Sequence, residues 1–227
     1  MQLDGVFIDM YGTLTTGDRA AVEATCQQII QDTGLSLSAR ELSIIWGERF
    51  FHDMDLANGD AFATLAEIEA QTLRATMAAL GVTIDPAPYV GRLVAYWRDP
   101  PLQPEALDFL ATFTAPICIV SNADRADIDT AVARHALRVA GVVTSQDTRS
   151  YKPDRRIFTA ALAQTGWGPD RVIHVGDSLH SDVGGARAAG LRSVWVNRAH
   201  RIHDVGNHEP DHELEDLHGL QPLVDSL

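Results

Sequence analysis

The sequence predicts an α/β protein whose core is a Rossmann-like, doubly wound parallel sheet, with an all-helical subdomain inserted into it. After residue 100, short apolar runs alternate with helical stretches, which is typical of a parallel sheet covered by helices on both faces. From residue 16 to 99, apolar residues recur instead at helical spacings of three and four. We therefore expect a core formed by residues 1–15 and 100–227 and a helical cap formed by residues 16–99.

Five apolar runs predict the strands of the core. Strands that are buried on both faces of a parallel sheet are continuous apolar runs rather than alternating ones. The predicted strands are 6–8, 116–121, 140–144, 172–177 and 193–197. Helical patterns between these runs predict core helices at 124–135, 155–165 and 182–189.

Four helical segments make up the predicted cap. They are 20–32, 38–52, 59–80 and 87–97. Ser38 followed by Glu41 fits a capping box at a helix start, and Gly34 and Gly81 stand where helices are expected to stop. The proline-rich segment 99–104 cannot continue a helix, so it is the natural linker back to the core.

Composition limits the possible partners. The chain has 227 residues, 45% of them hydrophobic, and 18 basic against 31 acidic residues give a formal net charge of -13. Such a balance repels phosphate backbones and anionic lipid, so we expect neither nucleic acid nor a membrane surface as a partner. The amino terminus lacks a charged segment followed by a long apolar one, which predicts a cytoplasmic protein without signal peptide or membrane span.

Several residue clusters are interpreted as structural. Cys26 and Cys118 are expected to be reduced core residues rather than a disulfide, since two cysteines in this setting are usually buried thiols. The aromatic residues Trp46, Phe50 and Phe51 are expected to form the core of the cap. The polar tail 203–218 is rich in Asp, Glu and His, and we interpret it as a surface loop rather than a metal-binding tract.

The first predicted strand ends in a carboxylate, Asp9, followed at once by a Gly-Thr turn. Open α/β sheets bind their ligands at the carboxyl ends of the strands, so Asp9 is placed where a nucleophile would lie. The string Asp9-Met10-Tyr11-Gly12-Thr13-Leu14-Thr15 resembles the first motif of the haloacid dehalogenase superfamily. In that superfamily the aspartate attacks phosphorus or carbon and forms a covalent intermediate.

Three further motifs follow in the order that the superfamily requires. Ser121 and Asn122 come after a strand, where a hydroxyl and backbone N–H groups can bind phosphate oxygens. Lys152 stands in a Lys-Pro-Asp string before a helix, and the resemblance implies that it neutralises the nucleophile and the transferred group. Asp177 and Asp182 lie five residues apart on a strand-to-helix loop. Two carboxylates at that spacing can hold a divalent cation directly and through water, and oxygen-only ligands favour Mg²⁺.

The resemblance also implies particular ligands. The cation would be bound by Asp9, by the backbone carbonyl of Tyr11 and by Asp177, with Asp182 nearby. The substrate would be contacted by Tyr11, Thr13 and Asn122, while Asp9, Lys152 and Ser121 would carry the chemistry.

Tyr11 separates two possible chemistries. Most phosphatases of the superfamily have a second aspartate there for acid–base catalysis, whereas the 2-haloacid dehalogenases have tyrosine, as this chain does. Those dehalogenases also carry an arginine directly after a cap tryptophan and a tyrosine six residues after the lysine, where this chain has Gly47 and Phe158. They replace the fourth motif with a metal-free Ser-Ser-Asn string, whereas this chain keeps Asp177. Phosphoryl transfer places negative charge beside an anionic nucleophile, so a metal-binding carboxylate favours phosphate chemistry.

The sequence therefore predicts a Mg²⁺-dependent phosphatase that acts on a small phosphorylated metabolite through an aspartyl-phosphate. Two alternatives stay open: a hydrolase like the 2-haloacid dehalogenases, and a catalytically weak protein that binds a phosphate ligand for regulation. The substrate and the oligomeric state are not predicted. The group that activates water is also open, and the candidates are His180, Glu48, Arg49, His52 and Asp53.

Overall fold

The computed structural model describes residues 3–201 and 208–227, and its chain divides into two compact units. The core unit comprises Met1–Thr16, Pro101–Asn122 and Ala136–Leu227, and the helical unit comprises Gly17–Pro100 and Ala123–His135. The helical unit thus includes a segment that the sequence analysis placed in the core. The domain limits proposed from the sequence stay a prediction.

Within the described residues, six parallel strands form one sheet, which confirms the predicted α/β class. The strands are β1 (Gly5–Ile8), β2 (Ile117–Ser121), β3 (Gly141–Thr144), β4 (Val172–Gly176), β5 (Arg192–Val196) and β6 (His212–Leu214), in the spatial order β3-β2-β1-β4-β5-β6. The five predicted strands agree with β1–β5 to within one residue at each end. The short polar strand β6 was expected to be loop, so that expectation was wrong for His212–Leu214.

Ten α-helices accompany the sheet in the described parts of the chain. They are α1 (Asp18–Thr33), α2 (Ala39–Leu56), α3 (Leu65–Ala79), α4 (Ala87–Arg98), α5 (Ala106–Thr112), α6 (Arg125–Arg134), α7 (Ser145–Thr148), α8 (Arg155–Thr165), α9 (Gly185–Ala188) and α10 (Leu220–Ser226). None of the described helices is both long enough and apolar enough to cross a membrane. The tail predicted as loop, 203–218, lies partly outside the described residues.

The central strands bring distant parts of the sequence to one edge of the sheet. β1 lies between β2 and β4, and Ile8 is in register with Ile119 on one side and Val175 on the other. All three strands are completely apolar at these positions and buried, because helices cover both faces of a parallel sheet. Parallel pairing then places the residues that follow β1, β2 and β4 at the same edge.

The helices of the helical unit begin where side chains cap them. Ser38 and Glu41 form the predicted capping box at the start of α2. A second capping box, formed by Thr64 and Glu67, begins α3 at Leu65 rather than at residue 59 as predicted. Both boxes satisfy N–H groups that have no partner within the helix.

The aromatic residues expected in the cap core differ in burial, whereas both cysteines are buried. Trp46 is buried and donates its indole N–H to Thr72 Oγ1 at 3.1 Å, as expected of a core residue. Phe51 is 61% exposed, so the expectation that it belongs to the core was wrong. Cys26 and Cys118 are buried and form no disulfide, as predicted.

Helix α3 receives a further cap from the segment that precedes α6. The carboxylate of Asp124 accepts the backbone N–H groups of Leu65, at 2.8 Å, and Ala66, at 3.1 Å. With Thr64 capping Glu67, the three N–H groups of the first turn of α3 are all bonded. A negative charge at this end also interacts favourably with the helix dipole.

Replacing Asp124 by Ala should therefore lower the free energy of unfolding by roughly 1–2 kcal/mol, the usual cost of losing a buried helix cap. The measurement is equilibrium unfolding in urea, monitored by circular dichroism. Asp129→Ala is the matched control, because this exposed residue pairs with Arg125 at the surface and should cost about 0.5 kcal/mol or less. Equal losses in the two variants would contradict the capping role.

Candidate active site

The side chains that the sequence analysis selected from four separate motifs meet at one edge of the core unit. Asp9 follows β1, Ser121 ends β2, and Asp177 follows β4. Lys152 lies in the loop before α8, and Asp182 lies in a wide helical turn, Leu179–Gly184, that precedes α9. This turn runs directly into α9, so helical structure begins at Leu179, three residues before the predicted start at 182, and becomes α-helical at Gly185.

Lys152 is the centre of the site. Its ammonium donates three hydrogen bonds, to Asp9 Oδ1 at 2.7 Å, Asp182 Oδ1 at 2.6 Å and the carbonyl of Val120 at 3.0 Å. The side chain is only 2% exposed, so these three acceptors replace the water that the charge has lost. Burial lowers the pKa of Lys152, but the charges of Asp182 and Asp9 outweigh burial and hold that pKa above its ordinary value.

Asp9 has two chemically different oxygens. Oδ1 accepts hydrogen bonds from Lys152 and from the hydroxyl of Ser121, the latter at 3.0 Å. Among the described residues, no donor binds Oδ2. Two donors on one oxygen fix the carboxylate plane and leave the other oxygen as the available nucleophile. Ser121 thus contacts Asp9 directly, while its predicted contact with phosphate stays a prediction.

Asn122 contacts the loop that carries Lys152. Its amide oxygen accepts the backbone N–H of Lys152 at 2.7 Å, and its amide nitrogen donates to the carbonyl of Lys152 at 3.2 Å. This paired contact fixes the loop relative to the end of β2. Its predicted role in substrate binding stays a prediction.

Asp182 lies directly over the end of β4. A Cβ atom at Gly176 would come within 2.1 Å of the Asp182 side chain, so glycine is needed to admit the carboxylate. Asp182 Oδ1 accepts from Lys152 and from His174 Nε2, and Oδ2 accepts the N–H of Ser178 at 3.0 Å. Burial raises the pKa of Asp182, but Lys152 and His174 outweigh it and hold the pKa below its ordinary value.

Two side chains hold the backbone carbonyl of Asp177 in place. Its carbonyl accepts the indole N–H of Trp195 at 2.9 Å and a guanidinium N–H of Arg201. Its carboxylate lies beside the first motif, where Thr13 Oγ1 is 3.5 Å from Asp177 Oδ1. Gly12 has a left-handed φ of 92°, and a Cβ there would lie 2.7 Å from the same oxygen.

Negative charge is in excess at this edge. Three carboxylates, of Asp9, Asp177 and Asp182, offer oxygens that all lie within 4.8 Å of one another, and Lys152 is the ammonium among them. Burial, followed by the charges of Asp182 and Asp9, raises the pKa of Asp177 from 3.8 to about 7. Burial also raises the pKa of Asp9, against the opposing charge of Lys152.

A divalent cation fits this cluster. The donors are all oxygen atoms, which suits Mg²⁺ or Ca²⁺ rather than softer metals. Burial and, after it, the charges of Asp182 and Asp9 raise the pKa of Asp177, and a bound cation would favour its ionised form. Asp9 and Asp177 would hold the cation, with Asp182 already engaged by Lys152 and His174.

The other predicted residues lie close by or are exposed. Tyr11 is half-buried in the turn after Asp9, with φ −82° and ψ 118°. His180 is exposed in the turn before α9. Three of the four cap residues considered for water activation are exposed on α2, and the fourth is half-buried; in sequence order they are Glu48, Arg49, His52 and Asp53.

Sequence reasoning missed His174. The residue is buried in the middle of β4 and contacts Asp182, yet it was counted only as part of a strand. The available signal was a lone ionisable residue in the otherwise apolar run Val172-Ile173-His174-Val175. Arg201 and Trp195, which hold the Asp177 carbonyl, were missed as well, because nothing in the local pattern indicates that contact.

The fold and the cluster at its edge define an α/β protein with an acidic site at the carboxyl ends of its parallel strands. A family model described as haloacid dehalogenase-like hydrolase matches residues 3–190. The chain therefore belongs to the haloacid dehalogenase-like hydrolases, as the motifs indicated.

Individual relatives differ in chemistry. The chain is 25% identical to an (S)-2-haloacid dehalogenase of Pseudomonas sp. strain YL over 229 residues, which are 99% of this chain and 95% of that protein. It is 42% identical to a phosphoserine phosphatase of Thermus thermophilus over 76 residues, 34% of this chain and 30% of that protein. The crystal structure of L-2-haloacid dehalogenase from Xanthobacter autotrophicus superposes with a TM-score of 0.83 at 21% identity and 100% coverage of both chains, which shows the shared fold.

The charge excess predicts how stability depends on pH. Between about pH 4 and pH 7, folded Asp177 keeps a proton that the unfolded chain has lost, so stability falls as the pH rises through that range. In the presence of chelator at pH 8, Asp177→Asn should therefore be more stable than wild type by roughly 1–3 kcal/mol, and the difference should shrink towards pH 4. Urea unfolding at both pH values measures it.

Two controls accompany this comparison. Asp170→Asn replaces an exposed carboxylate and should change stability by about 0.5 kcal/mol or less at either pH. Adding Mg²⁺ at pH 8 should stabilise the wild type more than Asp177→Asn, since ligand binding to the folded state adds to its stability. A wild type that is insensitive to Mg²⁺ would contradict the metal assignment.

Proposed function

We propose that the protein is a Mg²⁺-dependent phosphatase that hydrolyses a small phosphorylated metabolite through an aspartyl-phosphate. The observation that carries this proposal is the position of Asp177, whose carboxylate lies with those of Asp9 and Asp182 around Lys152. A halide can be displaced from carbon without a metal, whereas phosphoryl transfer concentrates negative charge beside the nucleophile. A third carboxylate can hold the metal that phosphoryl transfer needs, whereas in halide displacement it would only add negative charge beside the nucleophile.

The first chemical step follows from the geometry at Asp9. Oδ2, the oxygen without a hydrogen-bond donor among the described residues, attacks phosphorus while Lys152 and Ser121 hold Oδ1. The phosphorus–oxygen bond to the leaving group breaks, and the leaving oxygen takes that electron pair. Fixing the attacking carboxylate in advance removes rotational freedom that the reaction would otherwise lose in the transition state. Bound Mg²⁺ would supply positive charge close to the phosphoryl oxygens.

The second step regenerates Asp9. A water oxygen bonds to phosphorus, the bond between phosphorus and Asp9 Oδ2 breaks, and the water gives up its protons to solvent as phosphate leaves. Lys152 remains bonded to Asp182, which keeps the ammonium in place when Asp9 loses its negative charge in the intermediate. The site thus has a structural reason for two carboxylates on one lysine.

Dehalogenation of a 2-haloacid is the second candidate. It is favoured by Tyr11, which the sequence shares with the first motif of the dehalogenases, and by the similarity that extends over 99% of the chain. Two observations weigh against it. Gly47 stands at the sequence position where those dehalogenases carry an arginine, and Phe158, where they carry a tyrosine, has no hydroxyl and is completely buried.

The two reactions are separated by their products. With Mg²⁺, at least one small phosphorylated metabolite should yield phosphate, chelator should abolish release, and Asp9→Asn should be inactive because the nucleophile is gone. Incubation with 2-chloropropionate should release no chloride above background. Chloride release that persists in chelator would show that the protein is a dehalogenase instead. Binding of a phosphorylated compound without release of phosphate would identify a binding protein.

Tyr11 offers a second test. If its side chain takes no part in acid–base catalysis, Tyr11→Phe should keep kcat within about twofold, because the backbone carbonyl and ring volume are retained. Tyr11→Asp should raise kcat, since a positioned carboxyl can contribute roughly 10²–10⁴-fold by proton transfer. The gain should be larger for an alkyl phosphate than for p-nitrophenyl phosphate, whose leaving group needs no proton.

Steady-state kinetics of the three proteins on both substrates decides this point. A large loss in Tyr11→Phe would mean that the phenol participates in the reaction. An equal response of the two substrates to Tyr11→Asp would show that leaving-group protonation is not what the chain lacks.

A further inference from the structure

The buried residue His174 lies behind the site and belongs to none of the four motifs. It occupies the middle of β4, opposite Phe7 on β1 and Ser193 on β5, and it is completely buried. An apolar residue at this position would avoid the cost of burying an imidazole. The hydrogen bond between His174 and Asp182 is what an apolar residue here could not provide.

The surroundings of His174 define its tautomer. Nε2 lies 2.8 Å from Asp182 Oδ1, and an ionised carboxylate can only accept, so Nε2 carries the proton. Nδ1 is buried and has no partner among the described residues, so a proton there would be an unsatisfied donor. Burial also lowers the pKa of His174, which favours the neutral ring.

The orientation of the ring is fixed as well. Phe158 contacts the imidazole edge to face, with ring centroids 4.8 Å apart and planes at 81°. Phe158 itself is fully buried against Gly185, where a Cβ atom would come within 2.6 Å of its ring. Nε2–H is thus directed at Asp182 by packing as well as by the hydrogen bond.

Asp182 transmits this constraint to the nucleophile. The oxygen that accepts from His174 is the same oxygen that accepts from Lys152, and Lys152 in turn bonds Asp9. Without His174, Asp182 would keep Ser178 N–H on Oδ2 but could rotate Oδ1 away from its present direction. The lysine, shared between two carboxylates, would move with it.

We propose that His174 is a positioning residue for the reaction: it donates Nε2–H to Asp182, and through Asp182 and Lys152 it sets the attacking direction of Asp9. This role rests on the proposed phosphatase function. The hydrogen-bond arrangement itself does not, so it can be tested whether or not the protein releases phosphate. Outer contacts that orient site carboxylates typically change activity by roughly 10–100-fold when they are removed.

The first experiment determines the tautomer in the wild-type protein at pH 7.5. Two-bond ¹⁵N–¹H correlation spectra of the imidazole should show His174 as the neutral tautomer with the proton on Nε2. They should also show a slowly exchanging ammonium signal for Lys152, because all three of its N–H groups are bonded in the interior. An Nδ1–H tautomer would overturn the proposal without any activity measurement, because Nε2 would then have no proton to donate to Asp182.

The second experiment compares two variants of similar length. In His174→Gln, the side-chain amide nitrogen can take the place of Nε2 and donate to Asp182, whereas His174→Met has no donor. With the best phosphorylated substrate, His174→Met should lower kcat by roughly 10–100-fold with KM within about twofold, and His174→Gln should recover most of the loss. The Lys152 ammonium signal should persist in His174→Gln and broaden in His174→Met.

Stability separates positioning from packing. Thermal unfolding of the two variants should give similar midpoints, since both replace one buried side chain by another of comparable volume. If the kcat values of the two variants instead fall together, in proportion to lost stability, His174 is a packing residue and the proposal is wrong. If wild type releases no phosphate from any substrate, the proposed function fails, while the tautomer and the ammonium signal still decide whether His174 holds Asp182 and Lys152.

Discussion

The buried ammonium of Lys152 is the interaction on which the rest of the site depends. An unpaired charge in the interior costs several kcal/mol, so this side chain is tolerable only if acceptors surround it. Its acceptors come from three segments: Asp9 after β1, Val120 in β2 and Asp182 after β4. The parallel register of these strands is therefore a condition for catalysis as well as for folding, because a shift of one residue would separate the charge from its partners.

The same arrangement explains why the site needs more positive charge than the lysine provides. One ammonium can balance one of the two carboxylates that it contacts, and Asp177 adds a third negative group a few ångströms away. The protein keeps this unfavourable cluster by holding the Asp177 backbone with Trp195 and Arg201 and by using glycine at position 12 to admit its carboxylate. Unfavourable charge that packing preserves is characteristic of functional sites.

Much of the fold could be predicted because buried parallel strands have a simple pattern. β1–β5 are each built around a short apolar run, and their ends were predicted to within one residue. β6 was missed because His212–Leu214 is short and polar, at the edge of the sheet, where burial imposes little pattern. The start of α3 was misplaced because Thr64 and Glu67 compete as a capping box with the apolar spacing before them. The motif residues could be selected from the sequence. The contacts of Ser121 with Asp9 and of Asn122 with Lys152 could not, because they depend on how separate loops meet in the fold.

The full-length similarity favours a dehalogenase, whereas the acidic cluster of the site favours a phosphatase. The proposed function rests on the cluster. Similarity over the full length extends to a 2-haloacid dehalogenase at 25% identity, but a shared fold does not by itself determine the reaction. The reaction depends on how much negative charge must be balanced at Asp9, and that is determined by a few atoms. A tyrosine at position 11 adds no negative charge beside Asp9, because its phenol is neutral near pH 7. A carboxylate at position 177 does add negative charge there, so the proposal of phosphate chemistry rests on the fourth motif rather than on the first.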